Sequence, residues 1–457
     1  MQTDIFRQET TLASSMALAA WNDTQMAFLA HGAVTPEHLA RTLEAEPGFA
    51  LGHAVKGLFL MLLGRGELVP TAAEALQAAE NAVRDGAVSA REHAFVLALG
   101  EWLSGRPSLA VHRLDEVLSK NPGDTLAMKL SHAIRFVLGD AAGMRRSIET
   151  VLPAYDADHP GRGYLLGCHA FALEETGEYQ EAARAGRAGL ELAADDAWGL
   201  HAVAHVYDMT GDSRGGIDWL SGREAAWAHC NNFRFHVWWH KALMHLDLGE
   251  TETVLSLYDT LIRAERTDDY RDISNATSLL MRLELEGVDV GARWNELADL
   301  SAARTEDGSL VFADLHYLLA LIGDRREDAV IKLLRRLKDD ADRSASEADA
   351  RMAHPGVAAA TGLRDFGEGA YRTAFTHLAR ARRQMHLAGG SHAQRDIFER
   401  LTIDAGLRAG MLEQTEAILN DRTARRARTD DAYAMTRRAM IEAARRGSAR
   451  SNRVPAE

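Results

Sequence analysis

Ten glycines recur along this chain at nearly even spacing, and they restrict the fold more than any other feature. They are Gly64, Gly105, Gly139, Gly177, Gly211, Gly249, Gly287, Gly323, Gly367 and Gly410, separated by 41, 34, 38, 34, 38, 38, 36, 44 and 43 residues. The segments flanking them carry apolar residues with helical period. VKGLFLMLLGRGELVPTAAEALQAAENAV, AFALEETGEYQEAARAGRAGLELA and LHYLLALIGDRREDAVIKLLRRLKDD each read as two amphipathic helices around a turn. A helix pair every 34–40 residues or so is the signature of tetratricopeptide-type hairpins. Gly177-Glu178-Tyr179-Gln180-Glu181-Ala182 comes nearest to the G-x-Y-x-E-A turn of that repeat. One hairpin cannot bury its apolar face alone, so neighbours stack into a solenoid with a continuous core. A generic helical bundle leaves the two 34-residue gaps unexplained.

The expected fold is therefore all-α: a single right-handed tetratricopeptide-like α-solenoid of about ten helical hairpins over residues 1–425, curled tightly enough to enclose a central cavity. Residues 426–457 are expected to add one helix and a basic tail, disordered over its last ten or so residues. Thr35-Pro36-Glu37 marks a helix start by a capping hydroxyl and a Pro in the first turn, and Ser89 to Glu92 has capping-box spacing. Only 9 of 457 residues are Pro, against about 23 at ordinary usage, as long helical hairpins require.

Charge and cysteine usage limit partners and setting. The chain has 52 Lys+Arg against 66 Asp+Glu, a net charge of −14, which argues against nucleic acid and anionic membranes as partners. Only six of the basic residues are Lys, an Arg excess we read as genomic base composition. Cys168 and Cys230 cannot form a disulfide framework or a Cys-based zinc motif, so a reducing cytoplasm is expected. The most apolar run, Leu58–Gly64, is far short of the roughly 20 residues that span a bilayer, and the N-terminus lacks signal-peptide order.

The 19 histidines are not evenly spread. Groove positions in such repeats are usually 2, 5, 9 and 12, counting the turn glycine as 15. Against Gly211, Trp198 is position 2, His201 is 5, His205 is 9 and Asp208 is 12. The next such helix, HVWWHKALMH, repeats the pattern with His236 and His240 four apart. The two His pairs are offset by 35 residues and their glycines by 38. They are thus displaced by about one helical turn, yet close enough to share a pocket between packed helices. Asp314 and His316 on a later inner helix, and Arg395 and Asp396 after the Gly389-Gly390 turn, are weaker candidates for the same groove. A structural Arg–Asp pair behind an N-capping Ser391 explains the latter equally well. Cys168 reads as buried and inert, and Trp219, Trp227, Trp238 and Trp294 as core aromatics.

Three functional readings fit these residues beside the bland one, in which the histidines simply bond to one another and to backbone. The first is binding of a small molecule or peptide in the groove. The second is a hydrolase-type enzyme, with His205 and Asp208 as a base pair and His240 beside them, or with His201, His205, His236 and His240 holding a divalent transition metal. Ala202 stands where an H-E-x-x-H protease carries its Glu, so that mechanism is not supported. The third is a protein–protein scaffold. No organic cofactor is expected.

Eight segments in order resemble the tetratricopeptide repeat protein 38 family, which is found in bacteria and animals: Ser89–Leu99, Ala170–Tyr179, Asp196–Met209, Phe235–Leu243, Leu257–Asp259, Ser278–Trp294, Phe312–His316 and Gly389–Phe398. The resemblance runs from about residue 10 to 420 and implies an all-helical tetratricopeptide-like solenoid, with no biochemical role attached. The positions it shares include Trp198, His201, His205, His236, Trp239, His240, Arg293, Trp294, Asp314, His316, Arg395 and Asp396, with Asp208 where an acidic residue is expected. The resemblance thus implies a polar pocket without saying what it does.

Overall fold

The computed structural model describes residues 2–86 and 88–451, with side chains to residue 446. Eleven antiparallel helical hairpins follow one another over 15–45, 50–85, 90–120, 125–151, 162–192, 197–220, 233–257, 270–302, 311–343, 357–382 and 392–425. A last helix, Ala432–Ser451, packs on the eleventh hairpin through Tyr433 and Ile441. There it shares an apolar cluster with Phe375, Ile403 and Leu419. The remainder of the expected tail, from residue 452, lies outside the described residues. Among the described residues the only strands are Gln2–Thr3 and Glu9–Thr10.

Eight of the ten ladder glycines adopt positive φ and end the first helix of their hairpin, as the left-handed cap requires. Gly323 and Gly367 do not. Arg325 (φ 55°) and Gly369 (φ 77°) take the left-handed position two residues later. Gly323 instead makes room for a ring: a Cβ there would lie 2.5 Å from Trp294. The first hairpin escaped the ladder because His31 (φ 58°) makes its turn. The Ser89 capping box forms as expected, with Glu92 N donating to Ser89 Oγ at 3.1 Å. Thr35 does not cap its helix; its hydroxyl donates back to the Gly32 carbonyl at 2.7 Å.

The two helices of a hairpin differ in burial, which fixes the inner face. Eleven of the fourteen residues of Ala197–Thr210 are buried, whereas the outer helix Tyr179–Leu192 of the preceding hairpin buries three of fourteen. The inner helix Tyr270–Leu285 is the extreme, with fourteen of sixteen buried. It packs against Phe233–Asp247, Val311–Gly323 and His392–Arg408, so it lies at the centre of the molecule.

The solenoid also folds back onto itself. Earlier hairpin turns meet later parts of the chain, in order along it. Asn231 N donates to the His31 carbonyl at 2.8 Å, and Glu347 N to the Gly105 carbonyl at 2.9 Å. Arg65 pairs with Asp268 at 3.0 Å, and His392 N donates to Glu175 Oε1 at 2.6 Å. Arg426 pairs with Asp208 at 2.9 Å, and Arg437 with Glu286 at 2.7 Å. Gly139 lies so close to the His386 carbonyl that a side chain there would collide with it. Two large apolar clusters, one over residues 12–244 and one over 239–401, meet near Trp238 and Trp239. Along these two clusters the interior is packed with side chains.

Candidate metal centre

Two helices bring four imidazoles together. His201 and His205 lie one turn apart on Ala197–Thr210, and His236 and His240 one turn apart on Phe233–Asp247. Residues four apart share a helix face, and the two inner helices pack face to face. One nitrogen from each of the four rings lies within 4.8 Å of the other three. His236 Nε2 and His240 Nε2 are 3.1 Å apart, and the His205 and His240 ring centres 4.3 Å apart. The 35-residue offset therefore does what the spacing allowed: it places both pairs in one cluster.

The surroundings fix which nitrogens converge. His201 Nδ1 lies 3.1 Å from the Trp198 carbonyl, so Nδ1 carries the proton and Nε2 offers its lone pair. His205 Nδ1 faces Glu174 Oε2 at 3.4 Å, on the side of the ring away from the other histidines. His205 and His240 are essentially without solvent contact, while His236 and Trp198 each keep 8% exposure at the cluster's edge. Burial holds His201 and His240 well below the usual histidine value and His236 at about 3. Burial opposes the charging of His205 too, but Glu174 beside it raises that histidine. Glu174 is itself raised by burial. Both Glu174 oxygens, both His205 nitrogens, His240 Nδ1 and the indole nitrogens of Trp198 and Trp239 have no hydrogen-bond partner. An unpaired buried polar atom costs about 1–3 kcal/mol, so the cluster is expensive as it stands.

Not every residue singled out by the sequence belongs here. Asp208 makes no pair with His205: its carboxylate and carbonyl both accept from Arg426, just past the eleventh hairpin. Glu174, from the preceding hairpin, fills the role expected of Asp208. The missed signal was the same rule, since Glu174 is position 12 relative to Gly177. Trp239 does belong, stacking on His236 with ring centres 5.3 Å apart. Asp314 is taken by Arg336. His316 is buried with Nδ1 2.7 Å from the Phe312 carbonyl, and burial puts it at about 3; it is not one of the four. Arg395 bonds the Gly390 carbonyl and Glu175, and Asp396 is held by Arg400 and Arg422. Cys168 is buried with its thiol pushed up to about 11 by burial, as an inert thiol should be. Trp227 and Trp294 are core residues; Trp219 and Trp238 are half-buried against the core.

The four imidazoles fit a metal ion by type and by distance. Neutral imidazole nitrogen is a ligand for zinc, copper and nickel. A tetrahedral shell with Zn–N bonds of about 2.0–2.1 Å sets its nitrogens about 3.4 Å apart, close to the 3.1 Å between His236 and His240 and inside the 4.8 Å limit of the set. A carboxylate on the far nitrogen of a ligating His, as Glu174 is on His205, is the usual outer support of such a site.

The fold is tetratricopeptide-like, as the hairpins and their left-handed turns establish. Among the described residues no helix is long and apolar enough to cross a membrane. No protein-family model matches the chain. Solved structures similar to it include the human IFIT1 dimer with m7Gppp-AAAA, 14% identical over 93% of this chain and 95% of that one, with a TM-score of 0.35. The Naa15/Naa10 complex bound to HypK-THB is 12% identical over 91% of this chain and 67% of that one, TM-score 0.24. The P58(IPK) TPR domain is 13% identical over 76% and 89%, TM-score 0.20.

Proposed function

We propose that this chain is a metal-binding tetratricopeptide-like solenoid, a member of the tetratricopeptide repeat protein 38 family, that holds one divalent transition-metal ion on His201, His205, His236 and His240. The observation that carries the reading is the convergence of four buried imidazole nitrogens, with the other nitrogen of His201 bonded to the Trp198 carbonyl and the Glu174 carboxylate 3.4 Å from that of His205. Zinc suits the donor set best, because four imidazole nitrogens in a closed core match its tetrahedral preference. Four protein ligands leave no open position, which is the pattern of a structural centre. In that role the ion ties the sixth hairpin to the seventh. The reducing setting implied by two buried free cysteines suits this reading.

The hydrolase alternative has one observation in its favour, the carboxylate of Glu174 against His205. It requires that one His leave the ion to admit water.

Elemental analysis of the full chain, purified without a His tag, tests the proposal. About one equivalent of zinc or another transition metal is expected, together with its loss in a His201→Ala/His240→Ala variant that keeps its helical circular dichroism. No stoichiometric metal as purified, and no uptake of added Zn²⁺, overturns it.

A further inference from the structure

His205 turns one nitrogen toward the other histidines and the other toward two adjacent acids. Glu174 and Glu175 are the last residues of the helix Arg162–Glu175. One carboxylate oxygen of each and one nitrogen of His205 lie within 4.8 Å of one another, and all three residues are buried. The two acids are not equally committed. Glu175 accepts from His392 N at 2.6 Å and from Arg395 at 3.2 Å. Glu174 has no Lys or Arg partner among the described residues. Its one ion-pair partner is His205, and neither of its oxygens accepts a hydrogen bond. Arg395 is thus the one permanent cation against two carboxylates. A buried charge left without a partner is costly, and the carbonyl dipoles at a helix C-terminus add to the negative potential. Both favour a cation at this point.

The spacing bears on which cation. His205 Nδ1 and Glu174 Oε2 are 3.4 Å apart. A charge-assisted hydrogen bond draws such atoms to about 2.7–2.9 Å. Two ligands on one tetrahedral zinc, with bonds of about 2.0–2.2 Å, stand about 3.4 Å apart. The gap is that of atoms sharing an ion rather than a proton. Three protein ligands of nitrogen and oxygen type leave the fourth position of a zinc shell to water. A way in from solvent exists, because His392 and Arg395, which hold Glu175, both line an open cavity of about 190 Å³.

We propose that His205 Nδ1, Glu174 and Glu175 hold a second divalent transition-metal ion, so that the His205 ring bridges it to the ion on the four imidazoles. The bridge rests on the four-imidazole reading; the second site itself does not. With both ions bound, the second takes the place of the Nδ1 proton, which leaves to solvent, and His205 becomes an imidazolate. Loss of that proton and competition from Arg395 for Glu175 make the second ion the weaker of the two. It enters on addition of metal rather than staying through purification.

Equilibrium dialysis of the full chain against micromolar Zn²⁺ tests this. The native chain is expected to take up about two equivalents. Glu174→Gln keeps the shape and removes a ligand, so it should hold about one. His201→Ala/His240→Ala should also hold about one, and the three substitutions together none, each variant keeping its helical circular dichroism. A single equivalent, lost in His201→Ala/His240→Ala and kept in Glu174→Gln, overturns the second site and leaves the first. A single equivalent with the opposite pattern supports the second site and overturns the four-imidazole centre and the bridge. No uptake by the native chain overturns both.

Discussion

Two polar clusters lie within the same packed interior, and they solve burial in opposite ways. Around Asp396 and Asp431, charge is met by charge. Arg422 reaches both carboxylates at 2.6 Å, and Arg400 and Arg426 complete a lattice that draws in Asp208 from the sixth hairpin. Burial would raise both acids, yet the guanidiniums overcome it and hold them below the usual carboxylate value. The imidazole cluster avoids charge instead. Three of its rings are kept neutral, and its remaining nitrogens face one another with few donors between them. A saturated lattice has nothing left to bind. A set of converging lone pairs does, and that difference is why one cluster reads as framework and the other as a site.

The comparison breaks most visibly if the lattice is cut. Asp431→Ala leaves Arg422 buried without one of its two partners, and breaking a buried pair in this way costs about 3–5 kcal/mol. Urea unfolding should show a loss of that size; a change below about 1 kcal/mol would put the lattice on a par with a surface pair. Acid should act on the same groups. Because the folded values of Asp396 and Asp431 are depressed, their contribution is present above about pH 4 and is lost as pH falls through the folded values. Asp431→Asn should flatten that acid limb in denaturation measured against pH.

The imidazole cluster should respond to chelator and not to the lattice substitutions. Stripping the ion removes the stability that ligand binding adds, about 4 kcal/mol when the free metal stands 1,000-fold above its Kd. Thermal melts with and without chelator should differ for the native chain and coincide for His201→Ala/His240→Ala. A smaller effect is expected from Glu174→Gln. That change keeps the shape and removes the charge on the far side of His205. Competition with a chromophoric chelator should show metal affinity lower by about 10–100-fold. An unchanged affinity would mean that Glu174 does not support the centre.

Much of this architecture was legible before any coordinates. The glycine ladder marks most hairpin turns because a left-handed residue at a helix end is a local requirement that glycine meets cheaply. It fails at Gly323 and Gly367, where the glycine answers to a tryptophan ring and an isoleucine packed across it, Trp294 and Ile322. Packing partners of that kind leave no spacing in the sequence. The His pairs were legible for the same local reason, a four-residue repeat on one helix face. Asp208 was assigned to them from its position alone, and it goes to Arg426, 218 residues away. That loss is invisible to any rule confined to one hairpin.

The closed seam has a consequence for how this array can vary. In an open solenoid each repeat answers only to its neighbours, so repeats can be gained or lost one at a time. Here His31, Gly105, Glu175, Asp208 and Glu286 are each matched to a particular partner far along the chain. Removing one intervening hairpin would slide every downstream loop past its mate, like a zip closed one tooth out of step. The number of repeats in this protein is therefore as much a part of its specification as the residues within them.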